Sequence, residues 1–137
     1  MKNSPVVSIL FAGAMVLLVS LGLMYGSLYF FSDLMDEYFE PVFRSSSFST
    51  DILFYIHPFI LSTALFWFWN RSKELVHGSV ISKAAKESVV YGLVSLLPVL
   101  LLTFSAINIS AIMVITWIGY GIVQAFVAFL VFANRNK

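Results

Sequence analysis

Four long stretches without a charged side chain constrain this sequence more than any other feature. They cover residues 6–31, 52–70, 88–107 and 110–134. About 20 apolar residues, at 1.5 Å per residue in a helix, cross the hydrocarbon core of a bilayer. In lipid the backbone must satisfy its own hydrogen bonds, so each stretch is predicted to be an α-helix. We therefore predict an all-α integral membrane protein, a single domain with four spans.

The composition agrees with a chain that lipid covers. Of its residues 60% are apolar and 11% are charged, whereas a soluble domain carries roughly 25% charged residues. The net charge of +1 gives no reason to expect a nucleic acid as a partner. The absence of cysteine excludes thiolate catalysis, iron–sulfur clusters and thiolate zinc sites.

The positions of the basic residues predict the orientation. Between the spans, segment 33–48 is acidic and loop 71–87 is basic, while the turn Asn108–Ser110 carries no charge. Under one threading, seven of the eight basic residues fall on one side: Lys2, Arg71, Lys73, Lys83, Lys86, Arg135 and Lys137. The positive-inside rule makes that side cytoplasmic. We predict an antiparallel four-helix bundle in the cell (inner or plasma) membrane, with both termini in the cytoplasm.

Capping residues predict where two of the helices begin. Ser49, Thr50 and Asp51 offer side-chain oxygens to the start of the second helix. Ser79 does the same for the third helix, whose residues 80–87 are expected to be two solvated turns in the cytoplasmic loop. Pro98 is expected to kink this helix.

The segment 33–48, predicted to lie outside the cell, is amphipathic over residues 33–43. Its apolar side chains fall on one half of a helical wheel. The acidic side chains on the other half are Asp33, Asp36, Glu37 and Glu40. Three interpretations remain open: a solvated acidic loop that caps the bundle, a docking surface, and a mouth that attracts cations.

Polar residues inside the spans are the candidates for function, because hydrocarbon penalises them. Counted from the outer helix ends, five fall at a comparable depth and predict a polar layer: Tyr25, Ser27, His57, Thr103 and Thr116. His57 is the member that titrates near neutral pH. Its side chain either forms a hydrogen bond to a neighbouring helix or takes part in a proton relay or in ligand binding. Gln124 lies about 12 Å deeper along its helix, so contact with His57 is not expected.

Small residues mark faces where two helices can approach closely. Gly22 and Gly26 form a GxxxG pair on the first helix, and Gly121 and Ala125 form a similar pair on the fourth. Gln124, on the fourth helix, is expected to form an interhelical hydrogen bond. These faces could pair within one bundle or between two copies.

Segment 21–33, with the sequence LGLMYGSLYFFSD, has a Gly-x-x-Tyr-Gly stretch followed by aromatic residues and Asp33. It resembles the first helix of small bacterial four-helix membrane proteins of unknown function. That resemblance implies the fold but no activity and no catalytic residue. Small multidrug exporters differ, because they carry a glutamate within their first span.

Three functional hypotheses follow. The first is a non-enzymatic membrane component that packs with a second copy of itself or with another membrane protein. It rests on the small-residue faces and on the scarcity of charge within the spans. The second is a small transporter or channel with an outward-facing polar cavity around His57. The third, an enzyme acting on lipid or quinone, lacks paired carboxylates and an activated nucleophile, so we predict no catalytic residue, metal or cofactor.

Overall fold

Four long helices make up most of the protein. The computed structural model describes residues 4–32, 36–43, 45 and 47–135. Its long helices are α1 (Pro5–Phe30), α2 (Phe48–Ser72), α3 (Val80–Ala106) and α4 (Ala111–Arg135). Each is long and apolar enough to cross a membrane. The predicted all-helical fold with four candidate spans is confirmed.

The helix starts follow from local hydrogen bonds. Ser47 caps α2: its hydroxyl accepts from the Thr50 N–H at 3.4 Å, and the Thr50 hydroxyl accepts from the Ser47 N–H at 3.0 Å. The prediction that Ser49 or Asp51 would cap α2 is wrong, since both lie in its first turn. Ser79 caps α3 as predicted, its side chain accepting from the Ser82 N–H at 3.3 Å.

The irregularity expected in α3 takes the form of a π-helical turn, Gly92–Leu96. Pro98 has no N–H to donate to the carbonyl of Val94. A wider turn just before the proline accommodates this missing hydrogen bond without breaking the helix.

The central helix is α4, which contacts α1, α2 and α3. Phe129 and Phe132 on α4 are fully buried, and Phe132 packs edge-on against Phe66 with 5.3 Å between the ring centroids. They belong to a cluster with members from all four helices, which we call the closed half: Ala12, Val16, Leu61, Leu65, Trp69, Ala84, Ala125, Ala128, Phe129, Phe132 and Ala133. Its alanines let the helices approach the aromatic rings closely.

A smaller cluster lies around the first turns of α4, and we call this part of the bundle the open half. Its buried members are Ile109, Met113 and Val114. The segment between α1 and α2 packs on it through Tyr38 and Phe43. Within the described residues 36–43, the regular part of this segment is a short 3₁₀ helix, Glu37–Phe39, followed by a turn. Of the amphipathic segment predicted over 33–43, residues 33–35 lie outside the described residues, and the helical part of the remainder is Asp36 and this one turn.

One face of the first turns of α3 is packed, because it lies against α4, while Ile81, Ala85 and Lys86 on the other face are exposed. Ala84 is 0% exposed and Glu87 is 2% exposed. The two residues are three positions apart and therefore share a helix face. The expectation of two solvated turns over 80–87 therefore holds for the exposed face and is wrong for the face that packs on α4, and the irregular connection between α2 and α3 is confined to residues 73–79.

Candidate functional site

A cleft in the open half brings together polar side chains from three helices. Its volume is about 320 Å³, at the lower end of the range for small-molecule sites. We call it the His57 cleft. Its lining comprises His57 of α2, Tyr91, Leu96 and Leu100 of α3, and Trp117, Tyr120, Gly121 and Gln124 of α4.

The cleft lies where α3 leaves close contact with α4. A Cβ added at Gly92 would lie 3.0 Å from Ile122, and one added at Gly121 would lie 2.6 Å from Leu96. Both glycines are therefore needed for this close approach. Beyond the π turn, none of the described residues of Leu97–Ala106 is buried. This separation leaves room for the cleft.

His57 and Gln124 line the same cleft, although counting from the predicted helix ends separates them by about 12 Å. The difference arises because α2 begins at Phe48, four residues before the predicted span. From the observed helix starts, His57 is nine residues in and Gln124 is thirteen, a difference in rise of only about 6 Å.

Gln124 also forms an interhelical hydrogen bond, the role expected for it. Its amide Nε2 donates to Ser20 Oγ at 2.8 Å. The Ser20 hydroxyl in turn donates to the carbonyl of Val16 at 2.7 Å. The polar end of the cleft is thereby tied to α1.

The five residues of the predicted polar layer occupy different environments. Ser27 is buried, and its hydroxyl bonds the Tyr120 hydroxyl at the cleft. Ser27 also donates to the carbonyl of Leu23 in its own helix at 2.7 Å, and Thr103 and Thr116 donate to carbonyls of their own helices at 2.9 and 2.8 Å. Tyr25 is 64% exposed. The structure thus connects Ser27 to the residues around His57 and places the other three members elsewhere.

Three aromatic residues of the cleft are not among the candidates predicted from the sequence. Tyr91, Trp117 and Tyr120 each carry a polar atom, but aromatic residues in a span are also common at lipid-facing positions. A signal was present in α4, where Trp117, Tyr120, Gly121 and Gln124 follow helical spacing along one face.

The small-residue faces divide into packed and open ones. Ala125 is fully buried, and Gly121 packs against Leu96 as described. A Cβ added at Gly22 or Gly26 would meet no neighbouring atom within 4 Å in the described part of the chain. Gly13, which sequence reasoning missed, is the tight glycine of α1: a Cβ there would lie 2.5 Å from the Phe59 ring.

Large side chains border the open glycines of α1. Leu18, Tyr25 and Tyr29 are 63%, 64% and 82% exposed. They recur at spacings of seven and four residues, so they share the helix face of Gly22 and Gly26. We call this surface the Gly22–Gly26 groove.

The acidic candidates also have different environments. Glu37 holds the start of α4, because its carboxylate accepts from the Ser110 N–H at 2.5 Å and from the Ser110 hydroxyl at 2.7 Å. A carboxylate is favourable at a helix N-terminus. Asp36 and Glu40 are exposed, and Asp33 lies outside the described residues.

The segment that carries Glu37 also reaches the cleft. The Trp117 indole N–H donates to the Tyr38 hydroxyl, and Trp117 lines the His57 cleft. Burial raises the pKa of the Tyr38 hydroxyl, and the hydrogen bond from Trp117 acts in the opposite direction. Phe43 of the same segment also packs edge-on against Trp117, with 6.2 Å between the ring centroids, so the segment contacts the cleft through two aromatic residues.

Among the residues that the structure describes, no group of three or more His, Asp or Glu side chains could hold a metal ion. No protein-family model, curated protein or solved structure matches this chain.

Proposed function

We propose that the chain is a multi-pass protein of the cell membrane, with its helices antiparallel and both termini in the cytoplasm. The distribution of basic residues supports this orientation. Contacts between α1 and α4 support the antiparallel arrangement, since they run in opposite order along the two helices: Phe11 with Arg135, Ser20 with Gln124, and Ser27 with Tyr120.

We further propose that it is a non-enzymatic membrane component that associates laterally with a second copy or with another membrane protein. One observation carries this proposal: the Gly22–Gly26 groove is open, whereas Gly13 and Gly121 are occupied by neighbouring side chains. Small residues in spans let helix backbones approach closely. The groove offers such an approach to a helix from outside the bundle.

Cross-linking in native-like lipid tests this association. Replacing Gly22 and Gly26 by Leu fills the groove at positions where an added Cβ meets no neighbouring atom of the described residues within 4 Å, so cross-linked complexes should fall at least fivefold. Gly119→Leu is the matched control, because Gly119 is also open but lies on α4. Equal yields from wild type and Gly22→Leu/Gly26→Leu would exclude the groove as the contact surface.

The His57 cleft favours a second candidate function, a small transporter or channel. The cleft is about 320 Å³ in volume, and polar side chains within the candidate spans form part of its lining. Such a site could pass a proton or a small polar solute. Proton flux into proteoliposomes containing a pH-sensitive dye should exceed that of empty vesicles and should fall at least fivefold with His57→Ala. Flux that is equal with and without the protein counts against transport of protons.

A further inference from the structure

A second cavity lies where α2 ends and α3 begins. Its volume is about 470 Å³. The residues of its lining that matter here are Trp69, Lys73, Glu74, Ser79, Val80 and Lys83. We propose that this cavity binds a phosphate group, and that an anionic phospholipid headgroup supplies it. The proposal goes beyond lateral association and does not depend on the Gly22–Gly26 groove.

The cavity is cationic. Lys73 and Lys83 contribute two positive charges and Glu74 one negative charge, which leaves a formal charge of +1. Both lysines are half-buried, whereas Glu74 is exposed. Lys73 Nζ makes a long contact of 3.4 Å with the Asn70 side-chain oxygen, which is neutral. An anion in the cavity therefore meets two ammonium groups and a single competing carboxylate.

The N-terminus of α3 adds to this charge. Ser79 is its N-cap, and Ser79 and Val80 line the cavity. The first N–H groups of a helix have no partner within it and carry about half a positive charge. Helix N-termini bind phosphate groups in this way.

An independent observation points to a hydrogen-bond acceptor in this place. Trp69 lines the cavity and is only 3% exposed, and its indole N–H has no hydrogen-bond partner among the described residues. Buried polar groups without a partner are uncommon and destabilising. Since an indole can only donate, an acceptor bound here would satisfy it. Phosphate oxygens accept from indole, ammonium and backbone N–H groups alike.

The position along the chain indicates a lipid as the source of the phosphate. The cavity lies next to the connection 73–79, at the ends of two candidate spans. Arg71 lies over the ring of the exposed Trp67, 5.4 Å from its centroid. Exposed tryptophan and arginine near the end of a span are typical of the membrane interface, the level of lipid phosphates. On the proposed topology this leaflet is the cytoplasmic one, which is rich in anionic lipids.

Native mass spectrometry of the full-length protein in detergent tests the proposal. The probes are phosphatidylglycerol, phosphatidylcholine and inorganic phosphate. We expect the protein to retain phosphatidylglycerol at least fivefold more than phosphatidylcholine. Lys73→Gln/Lys83→Gln should lower that retention at least tenfold, and Trp69→Phe, which keeps a ring but removes the N–H, about threefold. Arg71→Gln is the matched control, because it removes a charge at the same end outside the cavity.

Several outcomes would decide against the site. Equal retention of the two lipids without phosphate binding would overturn the proposal, as would an Arg71→Gln effect as large as that of the double variant. Binding of inorganic phosphate that depends on Lys73 and Lys83, without a lipid preference, would support the phosphate site and assign it to a free anion. If the double variant does not fold, as judged by circular dichroism, Lys83→Gln alone should lower retention at least threefold, and no change would overturn the proposal.

Discussion

The closed and open halves of the bundle are parts of the same apolar helices, yet only one is tightly packed. In the closed half, Ala12, Ala128, Phe129 and Phe132 are all 0% exposed. In the open half, none of the described residues of Leu97–Ala106 is buried. Lipid is as apolar as a leucine side chain, so apolar composition alone does not hold membrane helices together. The packing depends on small residues placed opposite aromatic rings.

This difference also separates stability from function. The closed half ties all four helices together, and the His57 cleft lies in the open half. Sites that admit ligands are commonly found in the less stable parts of proteins. We therefore expect substitutions in the interior of the closed half, away from the cavity beside Trp69, to have the largest effects on unfolding, and substitutions in the open half to affect binding or association more than stability.

The largest effect should come from Phe129→Ala. Removing this buried ring leaves a void between helices, and the free energy of unfolding in detergent should fall by about 3 kcal/mol. Phe104→Ala makes the same change at a residue of the open half that is 44% exposed, and should cost less than about 1 kcal/mol. Titration with dodecyl sulfate measures both. Similar losses would mean that the two halves do not differ in packing.

A smaller effect is expected from Gly13→Leu. The added side chain meets the Phe59 ring, since even a Cβ would lie 2.5 Å from it. Overpacking of this kind costs about 1–3 kcal/mol. Gly22→Leu, on the same helix but in open space, should change the stability of the monomer by less than about 0.5 kcal/mol. A larger loss with Gly22→Leu would show that the groove is occupied within the bundle.

Glu37→Gln replaces the charged acceptor of the Ser110 hydrogen bonds by a neutral amide. The free energy of unfolding should therefore fall by about 1 kcal/mol. Hydrogen exchange of the Ser110 amide should become about fivefold faster. Glu40→Gln, at an exposed residue of the same segment, should leave that rate unchanged. Equal acceleration by both variants would point to a general loss of negative charge.

The smallest effect should come from Gln124→Leu, which removes the hydrogen bond to Ser20. Such bonds within membranes contribute about 0.6 kcal/mol on average. A double-mutant cycle with Ser20→Ala isolates this contribution. A coupling energy indistinguishable from zero would show that the bond does not stabilise the bundle.

The helices were predictable from the sequence because lipid imposes a simple condition on a span. Charged residues are excluded from it, and the four uncharged stretches agree with α1 to α4 within four residues, except at the start of α3, which lies eight residues before the third stretch. The buried Glu87 could not be predicted in the same way. It lies in the first turns of α3, where a charge is normally solvated, and its burial depends on how α3 meets α4.

The candidate site was predictable only in part. His57 and Gln124 were identified because hydrocarbon penalises polar groups, but their common cleft depends on the early start of α2 at Phe48. The GxxxG spacing identified Gly22 and Gly26 as a candidate packing face. It could not show that the space beside Gly13 is filled by a neighbouring side chain and that the space beside Gly22 and Gly26 is open. Those distinctions depend on the side chains of neighbouring helices.

The most direct test of lateral association is the dimer dissociation constant in liposomes, measured by single-molecule photobleaching across a range of protein densities. Wild type and Gly119→Leu should share one dissociation constant. Gly22→Leu/Gly26→Leu should raise it at least tenfold, or about 1.4 kcal/mol. A double variant that dimerises as wild type does, or a wild-type chain that stays monomeric at every density, would contradict self-association through the groove.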